Sequence, residues 1–218
     1  MQYCWVNRED LKQKFWRITV KIKVRLLHIS IMVIILGGLI STGEEAAKAW
    51  VVFGSRWNLS SSNYVNFRAN QLPVKWQSRL YQARDSWNGV SGSSITLSRN
   101  DSSYHIRVYD GYIDGTWGLA GVTLRYWDWN TYYSSVTYKI DQYENWYDGS
   151  ASNGIQWFEV DLVSNMTHEL GHAVGIAHTA ESCINNFRPT MCDSLVAGTT
   201  YKRTLQTDDK NALRFLYP

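Results

Sequence analysis

His168-Glu169-Leu170-Gly171-His172-Ala173-Val174-Gly175-Ile176-Ala177-His178 sets three imidazoles and one carboxylate at spacings that suit a single metal ion. On a helix, residues four apart lie on one face with Cβ atoms roughly 5–6 Å apart, so His168 and His172 can reach the same ion. Glu169 sits one step round, beside the ion rather than on it. Gly175 has no Cβ and permits the left-handed turn that ends many helices, which lets His178 approach from another direction. Three neutral imidazoles leave the fourth vertex of a tetrahedral zinc open to water, the arrangement of a catalytic zinc rather than a structural one. A bare His-Glu-x-x-His also occurs on ordinary solvated helices. The added Gly175 and His178, each at an offset with its own geometric reason, separate this string from that background. Of the other two histidines, His28 lies in an N-terminal segment treated below, and His105 stands between Tyr104 and Ile106 in a strand-like run, where it reads as a packed or half-exposed side chain.

The surrounding chain supplies elements to hold this string. Val163, Met166, Leu170, Ala173 and Val174 recur at steps of three and four, which predicts an amphipathic helix, and Asp161 is placed to cap its N-terminus. A second helix is expected from Leu72 to Trp87, on the spacing of Leu72, Trp76, Leu80, Ala83 and Trp87, with Pro73 in its first turn. Strand-like runs occur at 64–69, Ser94–Leu97, Tyr104–Tyr109, Gly121–Tyr126 and Val136–Tyr143. With a short closing helix near the C-terminus, the pattern is a five-stranded sheet with helices, α+β in class. Ser60 to Ser62 and the Ser/Gly patch from Ser91 to Ser94 read as loops.

Lys21, Lys23 and Arg25 precede the apolar run Leu26–Ile40, and Ala47-Lys48-Ala49 offers a cleavage site. Residues 1–49 therefore read as a secretory signal peptide, or as a membrane anchor if they are not removed. The mature chain, 50–218, is expected to be one secreted, extracellular domain. The whole chain carries 22 Lys+Arg against 19 Asp+Glu, but residues 1–49 hold eight and four of these, so the remainder has 14 against 15. The basic balance belongs to the leader, and nothing in the rest favours nucleic acid or, after cleavage, a membrane. Cys183 and Cys192 would reach an oxidising compartment together, so a disulfide is expected, stabilising by roughly 2–3 kcal/mol for so short a ring; two buried free thiols are the alternative.

His168 to His178 matches the metzincin signature, and the chain resembles the matrixin branch of zinc endopeptidases over most of residues 56–218. Arg56-Trp57 with Tyr64 to Arg68 is similar to that family's first strand, Leu119-Ala120 to its substrate-binding edge, and Leu205 to Asp209 with Leu213, Leu216 and Tyr217 to its closing helix. Met191 stands where metzincins place a methionine in a tight turn under the zinc. The resemblance implies a zincin-like fold, a twisted mixed five-stranded sheet with three helices and a zinc cleft. It implies one catalytic zinc on His168, His172 and His178, and Glu169 as general base acting on a peptide or protein substrate laid along the edge strand. Asp114, Asp141 and Glu144 resemble the family's calcium carboxylates, although a solvated acidic surface explains them equally well. The family's second zinc site finds no histidines near Gly121 and Lys139, and the stretch from His178 to Met191 is longer than in short matrixins. The expected protein is a monomer of the microbial secreted type. The rival reading is a non-catalytic module that holds glycans or a protein on the aromatic run Tyr126-Trp127-Asp128-Trp129 and Tyr132-Tyr133.

Overall fold

The computed structural model describes residues 50–128, 131–179 and 189–218, together with the backbone of residues 2–6. The apolar run Leu26–Ile40, His28, Trp129 and Cys183 lie outside the described residues. In chain order the strands are β1 (Gln2–Val6), β2 (Tyr64–Gln71), β3 (Thr96–Arg99), β4 (Ile106–Gly111), β5 (Leu119–Trp127), β6 (Tyr133–Asp141), β7 (Trp146–Tyr147), β8 (Val160–Asp161) and β9 (Ser194–Leu195). The helices are α1 (Val74–Asn88), α2 (Leu162–Ala173) and α3 (Thr207–Leu216).

Alternation builds the sheet. In β2, Val65, Phe67 and Ala69 are buried while Tyr64 and Asn70 face water, and β4 buries Ile106 and Val108 on the same period. The five expected strands, β2 to β6, lie side by side in the order β3-β2-β4-β6-β5. β2, β3, β4 and β6 pair in parallel and β5 runs antiparallel to β6, so the sheet is mixed. Beyond the expectation, β1 and β9 extend the sheet past β5 to seven strands, β1 antiparallel to β5 and parallel to β9. β9 has only two residues, too few for a period, and β1 falls within the segment read as a leader.

Both main helices pack on one face of this sheet. α1 buries Leu80, Ala83 and Trp87, and the Trp87 indole donates to the Thr167 carbonyl at 2.8 Å, which fixes α1 against α2. Pro73 precedes the first turn of α1 instead of lying in it. All twelve residues of α2 are buried, so truncating a member such as Leu170 to Ala would cost about 2–5 kcal/mol. Asp161 caps α2 by accepting from the Ser164 N–H at 2.8 Å, and it forms a buried ion pair with Arg203.

The far end of α2 is closed with equal care. Ile176 N–H donates to Gly171 O and Gly175 N–H to His172 O, the paired bonds of a Schellman motif, with Gly175 at φ +105°. A Cβ on Gly175 would lie 3.0 Å from the Ser55 carbonyl oxygen. The last carbonyls, of Ala173 and Val174, accept from the Trp57 indole at 2.9 Å and the Tyr217 hydroxyl at 2.8 Å. Helix and turn are thus held from both sides. Among the described residues no helix is long and apolar enough to cross a membrane.

Candidate active site

His168 and His172 project from the second and third turns of α2, and the turn at Gly175 returns the chain so that His178 faces them. The His178 Nε2 lies 3.2 Å from Nε2 of His168 and 3.0 Å from Nε2 of His172. The Nδ1 atoms of His168 and His172 lie 2.7 and 2.8 Å from the carbonyl oxygens of Thr190 and Ile176. A carbonyl only accepts, so both Nδ1 atoms carry the proton and both Nε2 atoms present lone pairs. Burial pushes His168 and His172 well below the ordinary imidazole range, and burial together with the Lys202 charge brings His178 down to about 4. Neutral imidazoles converging at these separations fit a tetrahedral zinc, whose ligand nitrogens at about 2.0–2.1 Å from the metal lie roughly 3.3 Å apart. Among the described residues, these three form the group whose ligand atoms come close enough to share an ion.

Glu169 follows His168 directly on α2. It is fully buried, and its Oε2 accepts from the Thr123 hydroxyl at 2.6 Å, while its Oε1 has no hydrogen-bond partner among the described residues. Burial raises its carboxyl to about 7, against the opposing pull of the Thr123 hydroxyl and of the Lys202 and Arg125 charges. A buried carboxylate oxygen left open, on the residue next to His168, has the chemistry of a proton acceptor.

Residues 118–218, which contain β5, α2 and every residue just described, match the family model for matrixin. The chain carries a matrixin-like metzincin domain. The match supports a zinc metallopeptidase-type domain; the family implies a catalytic zinc, and His168, His172 and His178 form a group that could hold it. No curated protein matches the chain.

The floor of the matrixin-like site is built from its second half. Met191 is buried and its sulfur packs against Gly171, where an added Cβ would meet it at 2.3 Å, so α2 can rest on the methionine only because residue 171 is Gly. The turn under the helix is pinned by Asp209, whose carboxylate accepts from the N–H groups of Thr190, Met191 and Gln206 at 2.9, 3.1 and 2.8 Å. Burial raises the Asp209 carboxyl in spite of those three donors. Lys202, also buried, donates to the Cys192 carbonyl, and its Nζ lies 3.4 Å from His168 Nδ1. Cys192 is buried, and its expected partner Cys183 lies outside the described residues.

Three residues near the site escaped the sequence reading. Thr123 looks like any β-strand threonine, Lys202 like a surface lysine, and Arg125 like a charge on the outward face of a strand. In the fold Arg125 lies over the Phe53 ring at 3.5 Å with its NH1 buried and without a hydrogen-bond partner among the described residues, and its charge acts on Glu169 and Tyr133. Burial lowers the Arg125 pKa and raises that of Tyr133 to about 12. The only signal in the sequence was positional, since residues 121, 123 and 125 share one face of β5.

Asp114, Asp141 and Glu144 do come together, but each turns its oxygens onto backbone amides. Asp141 accepts from Ile113, Asp114, Gly115 and Tyr143, Glu144 from Trp117 and Asn145, and Asp114 from Leu119. All six carboxylate oxygens have such a donor. In the aromatic run, Tyr126 and Trp127 are exposed whereas Tyr133 is buried against Trp57. His105 is exposed, accepts from the Asn66 N–H at 3.0 Å and packs on Trp57, 5.5 Å between ring centroids.

Proposed function

We propose that this matrixin-like domain is an exported endopeptidase in which Glu169 is the general base for peptide hydrolysis. The observation that carries the reading is the convergence of three imidazole nitrogens, together with an open, buried carboxylate oxygen on the residue that follows His168. Bound zinc supplies Lewis acidity, polarising the scissile carbonyl and lowering the pKa of a bound water towards about 7. Glu169 Oε1 takes the proton of the attacking water and passes it to the departing amine. Thr190 and Ile176 hold the His168 and His172 rings in the tautomer that leaves Nε2 free to bind.

The substrate is read as an extended peptide added to β5 at Leu119 to Val122, its backbone completing the ladder. That β5 accepts an antiparallel strand there is supported by β1, which pairs Cys4 with Gly121 and Tyr3 with Val122. Loss of residues 1–49 on export would clear this edge, and the oxidising exterior would allow Cys183 and Cys192 to bridge. N-terminal sequencing of the exported chain should then begin at Trp50.

The deciding experiment compares wild type with Glu169→Gln in a peptide-library cleavage assay, alongside zinc analysis. Wild type should cleave and Glu169→Gln should keep one zinc per chain while kcat falls by about 10²–10⁴-fold. Equal cleavage by both proteins would remove Glu169 from the mechanism.

A further inference from the structure

Resting on the peptidase reading, we infer that Thr123 is a positioning residue for Glu169, and that it ties the base to the strand that receives the peptide. The Thr123 hydroxyl has one proton. It lies 2.6 Å from Glu169 Oε2 and 3.3 Å from the Glu169 carbonyl oxygen, so the carboxylate oxygen is the partner it serves. Thr123 is 1% exposed and Glu169 fully buried, so water does not compete for this bond. With Oε2 occupied, the carboxylate cannot rotate freely, and Oε1 is the oxygen left open.

The contact is a consequence of register. Two residues along a strand advance about 6.6 Å, and four residues along a helix advance about 6.0 Å, so β5 and α2 can stay in step over successive contacts. The first contact is Gly121 opposite Asn165, where an added Cβ would lie 3.0 Å from both atoms of the amide head. The second, two residues on in β5 and four on in α2, is Thr123 opposite Glu169. Gly121 therefore sets the close approach that brings the Thr123 hydroxyl within reach. The same strand offers Leu119 to Val122 to the peptide, so a shift of β5 on peptide pairing moves the hydroxyl that orients the base.

The isosteric change Thr123→Val removes the hydroxyl and keeps the volume; Thr123→Ser keeps the hydroxyl and removes the methyl. Thr123→Val should lower kcat by about 10–100-fold, the range for outer partners of a metal site, with KM within about threefold of wild type and one zinc per chain. Thr123→Ser should stay within about threefold of wild type in both constants. A second readout needs neither metal nor turnover: in crystals of the metal-free proteins, the Glu169 carboxylate should occupy one conformer in wild type and Thr123→Ser and several in Thr123→Val. Unchanged kcat in Thr123→Val, equal damage in Thr123→Ser, or a single Glu169 conformer in all three would overturn the inference. Failure of wild type to cleave any peptide would sink the peptidase reading instead, and the conformer comparison would still judge Thr123.

Discussion

The domain holds two clusters of residues that look like metal ligands on paper, and the fold treats them in opposite ways. Asp114, Asp141 and Glu144 lie in and beside the turns flanking β5 and β6, where backbone N–H groups are unpaired by any ladder, and the carboxylates satisfy them. His168, His172 and His178 lie on a helix and its reversed end, where the backbone is already paired with itself and with Trp57 and Tyr217. The Nδ1 atoms of His168 and His172 face carbonyls, and the Nε2 atoms of both approach that of His178. Ligand chemistry is thus decided less by residue type than by whether the local backbone has already claimed the lone pairs.

The contrast can be broken most severely at the histidines. His172→Ala should abolish both stoichiometric zinc and peptide cleavage, since two imidazoles cannot close the site; metal analysis of the purified variant checks this. A variant that kept one zinc would show that another group completes the coordination.

Asp141→Asn tests the other cluster. It removes the charge that collects four backbone donors, and should cost about 1–3 kcal/mol in urea unfolding while leaving zinc content at one per chain. Added calcium should leave the melting temperature of wild type unchanged. A clear calcium-dependent rise would mean the carboxylates can exchange amides for a cation after all.

The smallest effect is a pH dependence of the metal-free fold. The three histidines have lowered pKa values when folded, so below about 6.5 the unfolded chain binds more protons, and stability falls with falling pH, for His178 until about 4. Glu169 works the other way: raised to about 7, it binds a proton when folded that the unfolded chain releases above about 4.5, so it adds stability as pH falls through that window. Glu144 and Asp209 are raised as well and act with Glu169, but their ordinary range lies below pH 5, and between pH 7 and 5 the unfolded chain gains a proton at each of the three histidines, so the metal-free protein should melt at lower temperature at pH 5 than at pH 7. Glu169→Gln should steepen that fall, and calorimetry at both values reads the difference.

Much of this was legible in the sequence because it rests on local periods. The five strands, α2 with its Asp161 cap, and the reversal at Gly175 each follow from side-chain spacing within a dozen residues. What was not legible depends on contacts between distant segments. Thr123 meets Glu169 across 46 positions, and Lys202 lies under His168 across 34. Nothing local distinguishes a threonine that will orient a carboxylate from one that merely suits a strand. The acidic trio shows another limit, since the amides that engage its carboxylates come from turns whose shape no short pattern encodes.

The most direct test of the central claim replaces zinc by cobalt in the purified protein and reads stoichiometry and visible absorption together. One ion per chain, bound by His168, His172 and His178 with a vertex that exchanges with solvent and shifts spectrum when a hydroxamate inhibitor is added, is the predicted result. No bound ion, or a spectrum fixed by a fourth protein ligand and unmoved by the inhibitor, would contradict it.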